Sequence, residues 1–453
     1  MGATLTNYDG SIKTTPQQIA HPTTVAELQA ILKDTVKYPS PVRAMGSHHS
    51  LTPCAASTGT VIDMKGLNKV IKIDAAAGTF TAGAGLEMIE ANRILREKRL
   101  QLLLNIEIGN LTLGSAACCH TKDSLDAVEF GQVSSYITAI KWVTPTGELR
   151  EVSETSDPQL MGLMRSSYGL AGVIYEVTIR IKPIEIVRFN YEIIPTAELT
   201  QAKIDDTIAH NQCLVCWTIG HTTVLQTRNS AATLERDWLA GSRQFGWNFL
   251  GAFLARAVSQ IRPEGPDAAP LDEAGAAIEL GFYRLIQGLG GFTLEDPDKM
   301  IDYSHSPPKA RYAFTFWAFP RKDWVKNVQG YLDFADAHVA QTGFRCNMPL
   351  GAYFVRKDRG SLLSYTHDGD AFSLDPIHAP SARDQDAWNR FLDAFNTWAS
   401  PRQGIPLLNQ SPRVTKPQAA AAYGARWTEF SQWVKTVDPQ ARMVNDFFKG
   451  LLV

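Results

Sequence analysis

The stretch from Gly172 to Ile181 shows clear alternation of apolar and polar residues, strict from Glu176 onward, and Pro183 stops the run. A period of two over that length is the mark of a half-buried β-strand. It commits this part of the chain to a sheet with one packed and one polar face. The residues before it supply partners. Residues 137–144 and 149–152 are joined by the turn Pro145-Thr146-Gly147-Glu148 and read as a hairpin. Further strands are expected at 42–45, 60–64, 69–74 and 79–83, with a helix over about 86–99. Thr24 with Glu27 three positions on is a capping box for an earlier helix.

A chain of 453 residues exceeds one ordinary core, so more than one domain is expected. Residues 1–183 form the first unit. Residues 184–380 form a second, with strands at 312–319 and 352–356 and a helical insert at about 234–291, divided by Pro263-Glu264-Gly265-Pro266. Residues 381–453 are helical, with Trp388, Phe391, Phe395 and Trp398 near helical spacing. A formal charge of -2, with no Lys/Arg cluster, gives no footprint for nucleic acid. Six cysteines in so long a chain do not make a disulfide framework, and the lone Cys213-x-x-Cys216 has no second pair for zinc, so no metal site is expected. The N-terminus lacks a secretory signal, although Gly2 and Thr6 fit a myristoylation pattern, and no stretch is apolar enough to span a bilayer; a cytoplasmic location is expected.

The sharpest local signal is Gly46-Ser47-His48-His49-Ser50, directly after a short strand. A turn of small residues there exposes backbone N–H groups that suit a pyrophosphate. A neutral imidazole inside it is also a competent nucleophile. Alone, the two histidines could be ordinary loop residues. Three further segments shift the reading: a small-residue stretch from Gly109 to Ala117, a third from Ser166 to Ile174, and Asp438-Pro439 followed by Arg442 to Phe448. Gly83-Ala84-Gly85 lacks the third glycine of a nicotinamide-type Rossmann turn.

With these motifs the chain resembles the vanillyl-alcohol oxidase superfamily, nearest its sugar-1,4-lactone and alditol oxidase branch, which includes the D-arabinono-1,4-lactone oxidases. The resemblance is strong over residues 16–183, thin through the middle, and returns at 438–452. It implies an α+β fold: an FAD-binding PCMH-type domain of two small parts, and a substrate-binding cap domain with an antiparallel sheet and helices. The last segment returns to the FAD domain. It implies FAD bound covalently through His49, with Gly46, Ser47, His48 and Ser50 in the first loop. Asn110, Thr112, Gly114, Ser115, Ala117 and Cys118 would bind the cofactor from the second loop, and Gly172 and Ile174 from the third. The second cysteinyl link of some members would fall near Ile108 or Gly109 and is not expected.

The branch carries a Glu-x-Arg pair on a substrate-domain strand, and here Gly351 and Tyr353 take those places. A His and a Lys further on become Leu407 and Gln410. Four polar groups are thereby reduced to one phenol and one amide, which implies a mostly apolar substrate bearing an alcohol or amine. Tyr353 is the expected base or orienting group, with Gln410 and Ser115 as further catalytic candidates; no catalytic role is expected of His120, His367 or His378. Small Gly114 implies room for dioxygen as electron acceptor. Two alternatives stand beside this oxidase: a sugar-lactone or alditol oxidase, and a flavin-binding protein without redox turnover.

Overall fold

The computed structural model describes residues 3–121, 131–261, 269–295 and 311–452. Gly2 and the 263–266 loop lie outside them. The alternating stretch is the strand Val173–Pro183. It lies antiparallel between Ile137–Val143 and Thr79–Gly83; Leu149–Ser153 and Val70–Asp74 extend the sheet, and Leu100–Leu102 pairs with its far end. Val173, Val177, Ile179 and Ile181 are buried, and each such side chain contributes roughly 1.5–3 kcal/mol of burial. The helix expected at 86–99 is shorter, Met88–Arg96. Arg99 takes a left-handed backbone (φ 58), which no α-helix continues through.

A second, parallel sheet has Thr60–Asp63 between Gln18–Ala20 and Val42–Met45. Helix Val25–Lys33 starts at the Thr24/Glu27 capping box and packs Leu28, Ile31 and Leu32 into that core. The two sheets make two small α+β parts, and the Gly46–Ser50 turn leaves the carboxyl end of Val42–Met45.

After Pro183 the chain builds a different sheet. Its strand order is Phe292–Leu294, Ile186–Pro195, Thr222–Ala231, Cys213–Ile219, Leu350–Val355, Ala371–Leu374, Trp317–Pro320, Ile405–Pro406, with antiparallel neighbours throughout. The stretch expected as one strand at 312–319 is two. Ala313–Phe314 pairs with Ile377–His378, while Trp317–Pro320 joins Ala371–Leu374. Helices Trp324–Thr342 and Gln385–Ala399 cover this region. On the latter, Trp388, Phe391, Phe395 and Trp398 stack in sequence, and Phe334 of the former packs against the last three.

The insert holds helix Trp238–Phe245, a π-turn Gly246–Leu250, helix Gly251–Ile261 and helix Ala269–Gly288. Among the described residues no helix is long and apolar enough to cross a membrane. The C-terminal segment has helices Lys416–Tyr423, Ala425–Val437 and Asp446–Leu452. Between the last two it returns to the parallel sheet: Val42 N donates to Arg442 O at 2.7 Å. The Arg442 guanidinium donates to the carbonyls of Ile31, Leu32 and Tyr38. Asp438 accepts from the backbone N–H of Arg442 and Met443, which fixes the turn.

Candidate active site

The three small-residue loops meet around one cavity between the two sheet systems, lined from both. Counting the part open to solvent, it encloses about 1470 Å³.

The first wall is the Gly46–Ser50 turn. A Cβ at Gly46 would lie 2.4 Å from Thr112 Oγ1, so this glycine lets the first loop touch the second. His48 has φ 59, a left-handed conformation that histidine tolerates better than most side chains. Its ring turns to Thr6 O at 3.0 Å, its own carbonyl accepts from Tyr8 N, and burial lowers its pKa. His49 lies at the cavity wall, stacked on Tyr8 at 5.3 Å, with Nε2 2.5 Å from Asn110 Oδ1. An amide oxygen only accepts, so Nε2 carries the proton and Nδ1 the lone pair. Ser47 donates to Glu87, and Ser50 Oγ accepts from the Cys54 thiol.

The second stretch is a short helix, Leu113–Cys118, rather than an open loop. Leu113 N and Gly114 N already donate to Leu86 O and Ala84 O. A Cβ at Gly114 would lie 2.8 Å from Ala84 Cβ. The missing side chain therefore lets the second stretch pack closely on Ala84, and both residues line the cavity. In the third loop Gly172 has φ 124, and a Cβ there would meet Val143 O at 2.1 Å. The glycines thus hold loop against loop, and the cavity wall is their joint product.

Arg43 lines the same end and was not among the expected residues. It is buried, and its Nε, Nη1 and Nη2 donate to the carbonyls of Cys54, Met443 and Tyr168. Those neutral partners leave its charge uncancelled, a suitable field for a phosphate anion.

At the other end stands a second unexpected residue. Glu107 accepts from the Tyr353 hydroxyl at 2.9 Å, from Arg228 Nη2 at 2.8 Å, and from Arg243. Burial alone pushes its carboxyl up; the pull of Arg243 and Arg228, with the Tyr353 hydrogen bond, outweighs this and holds it at about 2. The expected apolar wall is therefore interrupted by a buried carboxylate. Asn409 and Gln410 line the cavity as well, each with a buried side-chain oxygen that has no hydrogen-bond partner. Asn409 Nδ2 donates to His120 O, which points its Oδ1 the other way.

Of the expected residues, Gly46, Ser47, His48, His49, Ser50, Thr112, Gly114, Ser115, Cys118, Gly172, Ile174, Tyr353 and Gln410 line the cavity. Asn110 and Ala117 are buried outside its lining, Asn110 acting through His49. His120 is enclosed by Tyr168 and Ser361, and burial, with Arg426, holds it at about 3. His367 and His378 pair with Asp368 and Asp384 away from the cavity wall.

A family profile described as an FAD binding domain matches residues 16–153. L-gulono-1,4-lactone dehydrogenase of Mycobacterium tuberculosis (strain ATCC 25618 / H37Rv) is 31% identical over 98% of this chain and 98% of its own length. L-gulonolactone oxidase of Scyliorhinus torazame is 22% identical over 79% of this chain and 78% of its own. The crystal structure of cholesterol oxidase from B. sterolicum matches with a TM-score of 0.80 at 16% identity, covering 100% of this chain and 97% of that one. At that identity the likeness speaks for the fold alone: a PCMH-type FAD-binding architecture with a second domain. The residues present fit such a dinucleotide. A buried cation lies at one end of the cavity, a fixed imidazole at its wall, and unpartnered amide oxygens suited to ring or substrate N–H and O–H groups lie at the other.

Proposed function

The chain belongs to the sugar-1,4-lactone oxidase and dehydrogenase family of FAD-dependent oxidoreductases, within the vanillyl-alcohol oxidase superfamily, and on that premise we propose that it takes hydride from an alcohol carbon of a small molecule, with its flavin tethered to His49. The carrying observation is the His49 ring, held at the cavity wall by Tyr8 and Asn110 with its lone pair on Nδ1. Nδ1 is the atom assigned to the bond with the flavin 8-methyl carbon.

When bound, the flavin supplies the two-electron acceptor at N5. The chain supplies position. Tyr353 donates its hydroxyl hydrogen bond to Glu107, so toward a substrate its oxygen acts as an acceptor and orients the reacting hydroxyl. Held near 2, Glu107 is too weak a base to draw a proton at neutral pH. Asn409 and Gln410 offer acceptors across the cavity, and Ser115, hydrogen-bonded to Thr112 Oγ1 at 3.0 Å, offers a hydroxyl from the helix side. Arg43 and the Gly46–Ser50 turn are the proposed pyrophosphate end. Residues 1–183 are the proposed FAD-binding unit. Dioxygen is the acceptor to try first, since several relatives are named oxidases.

The test is acid precipitation of the purified protein. Yellow colour should stay with the wild-type chain and leave His49→Ala. Wild type releasing all its flavin would end the tether; flavin that no alcohol bleaches would end the redox reading. Peroxide release in the same panel decides the acceptor.

A further inference from the structure

Resting on the reading above, we propose that Glu107 is the specificity-determining residue of this site: its carboxylate receives a substrate hydroxyl from the FAD-domain side, opposite a substrate-domain strand that carries glycine at 351 and so offers no acid of its own there. The strand Leu350–Val355 pairs Gly351 directly with Trp217. A Cβ at 351 would lie 3.4 Å from Trp217 Cζ3 and 3.6 Å from Asp375 Oδ2. A side chain there would start in contact with an indole and beside a second buried acid, Asp375. Two residues along, Tyr353 stands where the branch has arginine, and its hydroxyl reaches across the cavity to Glu107.

Glu107 is built for a charge-assisted contact. Arg228 comes from strand Thr222–Ala231 and is wholly buried, its guanidinium over the Phe189 ring at 4.9 Å. Arg243 comes from the insert helix Trp238–Phe245. These two are positioning residues; neither lines the cavity, whereas Glu107 and Tyr353 do. A carboxylate has about four acceptor positions. Oε1 takes both arginines and Oε2 takes Tyr353, which leaves one position on Oε2. A buried ion cluster seldom stabilises a fold more than apolar packing of the same volume, and this one borders the substrate end of a cavity. With Asn409 and Gln410 also presenting acceptors, the wall suits a ligand carrying several hydroxyls better than one carrying a single hydroxyl on an apolar frame.

The experiment is anaerobic flavin bleaching in the loaded protein, with L-gulono-1,4-lactone, D-arabinono-1,4-lactone and an apolar primary alcohol as probes. The variants are Glu107→Gln and Tyr353→Phe. The proposal expects bleaching by at least one lactone, a KM raised roughly 10- to 100-fold by Glu107→Gln with a limiting rate changed only a few-fold, and a smaller rise for Tyr353→Phe. Glu107→Gln should raise the KM for the apolar alcohol far less than that for the lactone, whereas Tyr353→Phe, which removes the group that orients the reacting hydroxyl, should weaken turnover of every probe. A Glu107→Gln protein with unchanged lactone KM overturns the proposal, as does one with an equal loss on every probe. If Glu107→Gln does not fold, Tyr353→Phe carries the test, and an unchanged KM there overturns the proposal. Wild type bleached by the apolar alcohol and by neither lactone also overturns it, yet leaves hydride removal from an alcohol standing. Wild type bleached by no probe sinks both.

Discussion

Glu107 carries most of the unusual chemistry of the site on one side chain. Its carboxyl is about 11% exposed, so solvent screens it little. Its ordinary value of 4.5 falls to about 2 in the folded chain. A group whose folded pKa is depressed adds stability that is complete above the unfolded value and is lost as the pH drops through the folded one. The window here runs from about pH 4.5 down to about 2, and a depression of this size corresponds to about 3 kcal/mol. Glu107→Gln should therefore be less stable than wild type by a few kcal/mol at pH 7, and the gap should narrow steadily below pH 4.5. Urea midpoints of both proteins at pH 7, 5 and 3.5 measure it. A gap that stays constant down to pH 3.5 would mean that the carboxylate gains nothing from its two arginines. His48 makes a different point at the same scale. The turn needs a left-handed residue at position 48, and histidine is among the side chains that accept one.

At the scale of elements, the strand Leu350–Val355 shows why the family's acid cannot simply be restored. Gly351→Glu would push a charged side chain between Trp217 and the buried Asp375. Setting a second acid against one that is already buried costs several kcal/mol. The variant should lose at least ~3 kcal/mol of stability by urea unfolding and gain no lactone turnover. The strand shows equally what a sequence can and cannot display. The longer first-domain strands were legible because turn residues bound them and several repeat with period two, whereas Gln18–Ala20 and Leu100–Leu102, three residues each, are too short to show a period. Cys213–Ile219, buried along its whole length, has no such alternation, and the eight-strand sheet was legible only at two of its strands. The first loop and His49 were legible as local motifs. Glu107 was not, since its partners at 228, 243 and 353 lie more than a hundred residues away and no spacing links them. Arg43 did leave a signal: a charged residue inside a four-residue strand that enters the motif.

For the whole molecule, the cavity depends on the two ends of the chain meeting. The Gly46–Ser50 turn is held from outside the first 183 residues. Arg43 Nη1 donates to Met443 O, Val42 N to Arg442 O, and Leu51 N to Asn409 O. Asn445 Nδ2 donates to Pro53 O and Ala56 O, and Phe448 packs under Arg43 at 5.2 Å. A fragment of residues 1–183 would keep both of its sheets but leave Arg43 short of a buried partner and the edge of Val42–Met45 open. An unpaired buried group costs about 1–3 kcal/mol, and several are lost together. A chain ending at residue 437 loses Met443, Asn445 and Phe448 while keeping every cavity-lining residue. It should fold with native-like circular dichroism, carry less than a tenth of the wild-type flavin per chain, and be cut early by protease in the 46–58 region. Full acid-stable flavin in that truncated chain would mean that the first domain shapes the turn unaided, and that the C-terminal return is packing without consequence for the cofactor.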